Sequence, residues 1–425
     1  MTKVFVKTFG CSLNQADGEQ MHAVLEQDGF SMASSYEDAD VIVLNSCAVK
    51  GPTESKFFTL INKLEKNGKK IVAAGCIPQS MPEKLNHYSK IGTEQIPAIS
   101  EVVSRTLHGE IVSELDDTHK NKLSVPAKRL NPLVEIIPIS AGCLSSCTYC
   151  ITKHARGELT SYPINDILKR VRKAKREDVK EIFLTSPDNG CYGFELKTNL
   201  AHLVKEIASI KGEFMIRIGM GNPQHILRFA DEFADVLNLP NVYAFAHIPV
   251  QAGSDTVLKD MHRGYRKRHY TKLINILNKK VPNLTIATDI IVGFPTETEE
   301  DFQETLRIIE ETKPDIANVS RFWPRPHTSA AEMKELPGAI VKERTIRFVT
   351  AYETIAKQKN EKLLSTVQNI LITEKGKKGT IIGRTKSYKQ VIVPDSCEMG
   401  KRYDAKIIDC TPYYLVGEIK KKKKN

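Results

Sequence analysis

Nine cysteines are spread along this chain, and six of them fall into two groups suited to metal chemistry. Residues 142–150 read Gly-Cys-Leu-Ser-Ser-Cys-Thr-Tyr-Cys, which sets Cys143, Cys147 and Cys150 in a C-x3-C-x2-C string. Three thiolates on one loop can hold a four-iron cluster that would otherwise take four, leaving one iron open to an external ligand. A tetrahedral zinc site is an alternative, with His154 as the fourth ligand. Inert core cysteines are another, although the flanking Ser145, Ser146 and Thr148 are loop chemistry.

The second group is dispersed. Cys11, Cys47 and Cys76 each lie one or two residues past an apolar run that reads as a strand: VFVKTF-Gly-Cys, VIVLN-Ser-Cys and KIVAAG-Cys. In a parallel sheet the C-terminal ends of neighbouring strands converge on one edge. Three separate loops therefore deliver three thiols to one place, and the helix N-termini that follow favour the thiolate form. A single cysteine near a strand end is commonly just a small buried residue. Three at the same relative position point to a second three-thiolate cluster. The odd total argues against a disulfide framework and for ligation by reduced thiols. Cys191, Cys397 and Cys410 fit neither pattern and read as structural.

The elements that must position these residues form three blocks. Residues 1–110 alternate short apolar runs with helical patterns, as in an open α/β (Rossmann- or flavodoxin-like) domain. Strands are expected at 4–9, 41–45 and 70–75, and helices at 14–28, from about Pro52, and at 97–109. Residues 111–132 are polar, lysine-rich and interrupted by Pro126 and Pro132, and read as a linker. From 133 to 365 come six strand candidates, 133–139, 181–186, 214–220, 242–250, 284–294 and 316–323, separated by helical patterns at 163–177, 198–211, 223–238, 267–280 and 298–313. Pro163, Pro223 and the string Thr298-Glu-Glu-Asp suit helix starts. Six βα units make a partial (β/α)6 TIM-type barrel whose working face lies at the C-terminal ends of its strands. The C-x3-C-x2-C loop directly follows the first of them. One more helix fits 341–364. Residues 366–425 then hold five short strands, which suggest a small OB-like β-barrel.

The 425 residues carry 62 Lys and Arg against 51 Asp and Glu, a net charge of +11. Residues 366–425 alone hold 14 against 6, or +8. A basic C-terminal module points to a polyanion, most simply RNA or DNA, and a solvated tail is the plainer reading because Lys420 to Lys424 supply five of those charges. No apolar run approaches the ~18 residues of a membrane span, and the N-terminus lacks the apolar stretch of a signal peptide, so a cytoplasmic, membrane-free protein is expected.

The strings TFGCSLNQADGE (8–19), LNSCAVK (44–50), AGCIPQ (74–79), SAGCLSSCTYCITKHARG (140–157), HIPVQAGSD (247–255), TDIIVGFPTETEEDF (288–302) and PRPHTSA (324–330) together resemble the methylthiotransferase family of radical S-adenosylmethionine (SAM) enzymes. KHARG (153–157), RIGMGNP (217–223) and SCAVK resemble its archaeal and eukaryotic branch, which acts on N6-threonylcarbamoyladenosine at tRNA position 37. GRTKSY (383–388) is similar to the TRAM string GRTxxY. Thr296 departs from the family's GFPGET, and His327 and Ser329 depart from PRPGTPA.

The resemblance implies an N-terminal cluster domain, a radical SAM barrel and a C-terminal TRAM domain that binds RNA. It implies two 4Fe-4S clusters and SAM, with the open iron of the 143/147/150 cluster binding SAM and one electron releasing a 5′-deoxyadenosyl radical. Conversion of C–H to C–SCH3 at adenine C2 would follow, with sulfur passing through the 11/47/76 cluster and electrons from a donor such as flavodoxin or ferredoxin. Candidate cofactor-binding residues are Tyr149, Asp188, Arg217, His247, Gln251 and Asp289. Arg217, Lys153, His154 and Arg156 are candidates for the threonylcarbamoyl carboxylate. Arg384, Lys386, Tyr388, Lys389 and Arg402 are candidates for RNA. Rival readings are methylthiolation of isopentenyladenosine-37 tRNA, methylthiolation of a ribosomal protein side chain, and an RNA-binding protein whose clusters are structural.

Overall fold

A computed structural model describes residues 1–49, 51–118, 121–377 and 379–420. Lys50 of the SCAVK string and the lysine tail 421–424 lie outside the described residues. Among the described residues no helix is long and apolar enough to cross a membrane.

The N-terminal block is a six-stranded parallel sheet. Its order is Ser31–Met32, Lys3–Thr8, Val41–Ser46, Lys70–Gly75, Ser89–Ile91 and Ser113–Glu114. The central strand Val41–Ser46 is buried at every position, as a run of Val, Ile and Leu covered on both faces must be. The helix Ser12–Gln27 buries Asn14, Asp17, Glu19 and Gln20 along with its apolar residues, because its polar side faces the barrel instead of water. The sixth strand falls inside the segment expected to be a linker. That segment is docked, not free: it contributes Ser113–Glu114 to the sheet and buries Lys122 against Asp17 at 3.0 Å and Glu94 at 3.3 Å.

The barrel is an open arc of two three-stranded parallel sheets. Val134–Pro138, Glu181–Thr185 and Met215–Ile218 form one, and Phe245–His247, Thr285–Val292 and Ile316–Arg321 the other. An isolated bridge between Ile216 and Val242 joins them. The nine-residue strand expected at 242–250 shrinks to three. Its start donates Ala244 N–H to the carbonyl of Lys386, and Pro249 and a left-handed Gln251 (φ 70°) turn its end away. The helix expected at 223–238 breaks into Pro223–Ile226, a 3-10 turn and Ala230–Leu237. Thr298 caps Glu299–Thr312 through a capping box with Asp301. The helix Gly338–Glu361 leads to a closed five-stranded barrel in the order Val367–Lys375, Thr380–Thr385, Gln390–Pro394, Leu415–Ile419 and Arg402–Cys410.

This small barrel plugs the N-terminal mouth of the large one. Tyr388 and Leu371 pack with Met215, Tyr243, Phe245 and Ala287, two of which open their strands. The Arg217 guanidinium sits 5.2 Å from the Phe183 ring and 5.3 Å from those of Phe245 and Tyr388. Lys389 Nζ donates to Asp315 at 2.8 Å and Asn360 at 2.9 Å, and Lys386 Nζ to the carbonyls of Leu239 and Val242. Arg384 pairs with Glu374 at 3.0 Å and lies 4.7 Å from the Tyr388 ring.

The structure thus corrects the expectation for RNA contacts. Lys386, Tyr388 and Lys389 are docking residues, held by carbonyls, rings and Asp315 at the barrel mouth, while Arg384 is bonded to Glu374 and Arg402 to Asn369 at 3.1 Å, both within the small barrel. Tyr388→Ala is expected to lower stability by about 3 kcal/mol in urea unfolding, since it empties a buried ring site shared by both barrels.

A second expectation concerns pH. Glu19 is only 4% exposed, accepts the Leu130 N–H at 2.9 Å, and burial raises its pKa to about 7. The folded state therefore binds this proton more tightly than the unfolded chain, and stability falls as pH rises from about 4.5 through 7. Glu19→Gln should be roughly 2–3 kcal/mol more stable than the parent at pH 8 and nearly equal to it near pH 5, measured by denaturant unfolding at both.

Candidate active site

Three neighbouring strand ends of one sheet bring the N-terminal cysteines together. Cys11 is the N-cap of Ser12–Gln27, Cys47 follows Val41–Ser46, and Cys76 opens the helix Cys76–Ser80. Gly10 makes this approach possible: its φ is 106°, and an added Cβ would lie 2.3 Å from Cys47 Cβ. Asn14 organises the group. Its Nδ2 donates to the Ser46 carbonyl at 2.6 Å, and its Oδ1 accepts from the thiols of Cys11 at 3.4 Å and Cys76 at 3.8 Å. A hydrogen bond from Cys47, helped by the charge of Arg156, lowers the Cys11 pKa to about 6, while sharing that proton and burial push Cys47 up. Burial likewise raises Cys76.

Arg156 comes from the other unit. Its Nη2 donates to Asp17 at 2.7 Å, Asn14 at 3.2 Å and Cys76 Sγ at 3.5 Å, all buried. The short helix Thr152–Arg156 that carries it begins two residues after Cys150, and Ile151 and Ala155 belong to the hydrophobic core of the N-terminal sheet. The two cysteine groups are therefore joined by one rigid turn of chain.

The loop of Cys143, Cys147 and Cys150 is fixed by its own bonds. Cys143 N–H donates to Gly157, Thr148 N–H to Met261 and Thr148 Oγ1 to Asp260. Arg263 Nη1 donates to Cys147 Sγ at 3.1 Å and Tyr149 Oη at 3.5 Å, and Nη2 donates to Asn222 Oδ1. Behind it, Asp188 accepts from Gly190 N–H, Asn222 N–H, Asn222 Nδ2 and His225 Nδ1 at 2.6–3.0 Å. Burial raises Cys143 to about 12 and raises Cys150 as well, the ordinary state of ligand thiols before they meet a metal.

This loop faces a cavity of about 1000 Å³ at the C-terminal ends of the strands. Tyr149, His247, Gln251 and Asp289 line it. His247 Nε2 lies 3.0 Å from Asp289 Oδ2, whose other oxygen accepts from Asn318 at 2.8 Å. Gln251 is held in the left-handed region by the bonds of its N–H to Asp289 and of its carbonyl to Ile291.

Two candidates do not reach the cavity. Asp188 is fully buried with its oxygens occupied, and Arg217 lies at the opposite mouth among aromatic rings. Asp188 is satisfied by hydrogen bonds, whereas Arg217 is held only by the faces of aromatic rings, with its Nε buried without a hydrogen-bond partner. Arg156 is taken up by Asp17. Lys153 and His154 do line the cavity; Lys153 pairs with Glu158 at 2.8 Å, and the His154 ring lies 6.1 Å from that of His327.

Sequence reasoning missed Arg263 and Arg325. Arg325 pairs through Nη1 with Glu54 of the N-terminal unit, its Nη2 is buried without a partner, and its charge is felt by both Cys47 and Cys150. The PRPHTSA string contained it, but nothing in the string alone names Glu54.

The donor sets, three thiols in each group, fit iron–sulfur clusters that keep one iron open. Tetrahedral zinc places thiolates ~3.8 Å apart, from Zn–S bonds of about 2.3 Å. Among the described residues only Asp188, Cys191 and His225 bring ligand atoms within 4.8 Å of one another, and these three are already hydrogen-bonded among themselves. The two cysteine triads offer three thiols each, the donor number that leaves one iron of a four-iron core open to a further ligand.

Comparison with known proteins follows the same lines. Residues 3–93 match the uncharacterized protein family UPF0004, residues 137–309 the Radical SAM superfamily and residues 361–420 the TRAM domain. A probable threonylcarbamoyladenosine tRNA methylthiotransferase of Pyrococcus horikoshii is 41% identical over 99% of this chain and 100% of its own length. The chain belongs to the threonylcarbamoyladenosine tRNA methylthiotransferase family. The Homo sapiens member is also 41% identical, over 98% of this chain and 74% of its own. Among solved structures, the radical SAM methyltransferase TsrM of Kitasatospora setae shares the fold with a TM-score of 0.58 at 11% identity, covering 78% of this chain and 77% of that one. Membership of the radical SAM superfamily carries SAM and one 4Fe-4S cluster with it, and Cys143, Cys147 and Cys150 lie within the matched residues of this methylthiotransferase.

Arg156→Gln tests the joint between the two units. It leaves Asp17 with Lys122 alone and removes the N–H donor to Cys76. The cofactor-free protein should lose roughly 3 kcal/mol in denaturant unfolding.

Proposed function

We propose that this methylthiotransferase places a methylthio group on C2 of N6-threonylcarbamoyladenosine at position 37 of tRNA, and that Cys11, Cys47 and Cys76 hold a second, auxiliary 4Fe-4S cluster that handles the sulfur. The observation that carries the reading is a cavity of nucleoside size lined by the Cys143, Cys147 and Cys150 loop and by the buried cation Arg325, which pairs with Glu54 of the unit that carries the other three cysteines. Bound at the cavity loop, the cluster and SAM supply one-electron cleavage of the sulfonium, a way to activate an aromatic C–H bond.

The protein's own residues supply position. Tyr149 and Arg263 brace the loop, the His247–Asp289–Asn318 chain forms one wall, and Arg325 presents an unpartnered N–H edge. A threonylcarbamoyl group brings a carboxylate, whereas an isopentenyl group brings hydrocarbon. Lys153, Arg321 and Arg325 in the cavity wall favour the former, because an unpaired anion would be costly in an apolar pocket.

The small β-barrel sits at the far mouth, about 26 Å away by the eight residues of Thr285–Val292. Its exposed Lys375, Lys377, Lys401, Arg402, Lys406 and Lys420 suit phosphates distant from the reacting base. A flavodoxin- or ferredoxin-like donor would supply electrons. Nine unpaired cysteines suit a reducing, cytoplasmic compartment.

Reconstituted protein should bind about eight irons, two four-iron cores. Replacing Cys143, Cys147 and Cys150 with Ala should abolish SAM cleavage; replacing Cys11, Cys47 and Cys76 should spare it and stop methylthiolation. Nucleoside mass spectrometry should find the product on threonylcarbamoyladenosine tRNA and little on the isopentenyl form. Product only on the latter would reassign the substrate.

A further inference from the structure

Trp323 is the sole tryptophan of the chain, and it is 51% exposed. It stands just past the strand Ile316–Arg321, in the rim of the cavity that holds the cysteine loop. Its neighbour Phe322 is buried and packs edge-on to Phe294 at 5.5 Å, which anchors the backbone beneath it.

One face of the indole is covered. A Cβ added to Gly51 would lie 2.8, 3.0 and 3.1 Å from Trp323 Cδ2, Cε3 and Cγ. Three ring atoms at nearly equal distance place the would-be Cβ over the face of the ring, so Gly51 sits against that face. Only glycine permits this approach, so the N-terminal unit covers part of the ring, and with Trp323 51% exposed the remainder is left to solvent.

The surroundings favour a nucleic acid. Arg321, Lys153, His154 and His327 line the same cavity, and among these the exposed Arg321 lies two residues from the indole. A base brought into the cavity must leave the stack of its loop, and its neighbours lose a stacking partner. An indole held at the rim restores one.

We propose that the exposed part of Trp323 is a stacking platform for a nucleobase of the tRNA anticodon loop at the cavity mouth. The proposal rests on the tRNA reading above. It assigns to one ring a share of tRNA affinity worth roughly tenfold, the order of a single base–aromatic stack.

A single tryptophan makes the test direct. Full-length, cluster-loaded protein is titrated with threonylcarbamoyladenosine tRNA while intrinsic fluorescence is followed, and affinity is measured separately by filter retention. Quenching should track binding. Trp323→Ala should weaken retention about tenfold with an unchanged circular dichroism spectrum, and Trp323→Phe should recover most of that loss. Gly51→Ala, which crowds the supported face, should weaken binding while Trp323 remains present. Normal retention with no quenching, or equal retention by Trp323→Ala, would overturn the platform and leave the tRNA reading standing. Absence of tRNA binding by the parent protein would overturn both.

Discussion

The rest of the molecule depends on the buried ion cluster of Arg156, Asp17, Lys122 and Glu94. Arg156 arrives on the chain that has just supplied Cys150, Asp17 on the helix capped by Cys11, and Lys122 on the segment that leads into the barrel. Removing four charges from water is unfavourable unless every partner is in place. The arrangement therefore acts as a register pin: only one relative placement of the N-terminal sheet and the barrel pairs all of them. That placement also sets Arg156 on Cys76 and Arg325 on Glu54. The distance between the two cysteine groups is thus decided by ion pairing and not by the cysteines themselves.

The same logic divides the barrel into two ends. At the C-terminal mouth, polar groups are left facing a cavity, with backbone at Gln251 held in an unfavourable region. At the N-terminal mouth every acid finds a cation or hydroxyl: Glu181 takes Tyr243, and Asp315 takes Lys389 at 2.8 Å and Lys359 at 2.6 Å. Two lysines hold the Asp315 carboxyl below the ordinary range despite burial, which itself works the other way. The small β-barrel closes one end of the large one, and the open end is left for chemistry.

What could be read from the sequence follows from what each signal measures. Strand and helix positions were legible because burial imposes its period on the residues, and Lys267–Lys280 was expected at those bounds. The three dispersed cysteines were legible because topology converts "past a strand end" into proximity. Charged residues were the weak point. Arg217, Asp188, Lys386 and Lys389 all promised ligand contacts, yet a charge in a sequence reports only that a partner exists. Here the partners are three aromatic rings, His225 and Asn222, two carbonyls, and Asp315. The strand at 242–250 failed for a similar reason: its first hydrogen bond goes to another domain, which periodicity cannot register.

Arg325 shows why the identity of the cation matters as much as its sign. A guanidinium is planar and carries donors on more than one edge. Glu54 holds one edge, so the plane is fixed, and Nη2 is left buried without a partner in a gap where the charges of both Cys47 and Cys150 are felt. A lysine pinned by Glu54 would turn its ammonium toward that partner and offer the gap a less directed charge. Burial works against charging this side chain, and the acid beside it offsets that cost. The cation is thereby oriented before any ligand arrives, so an anionic group entering the gap meets a donor that has no reorganisation left to undergo.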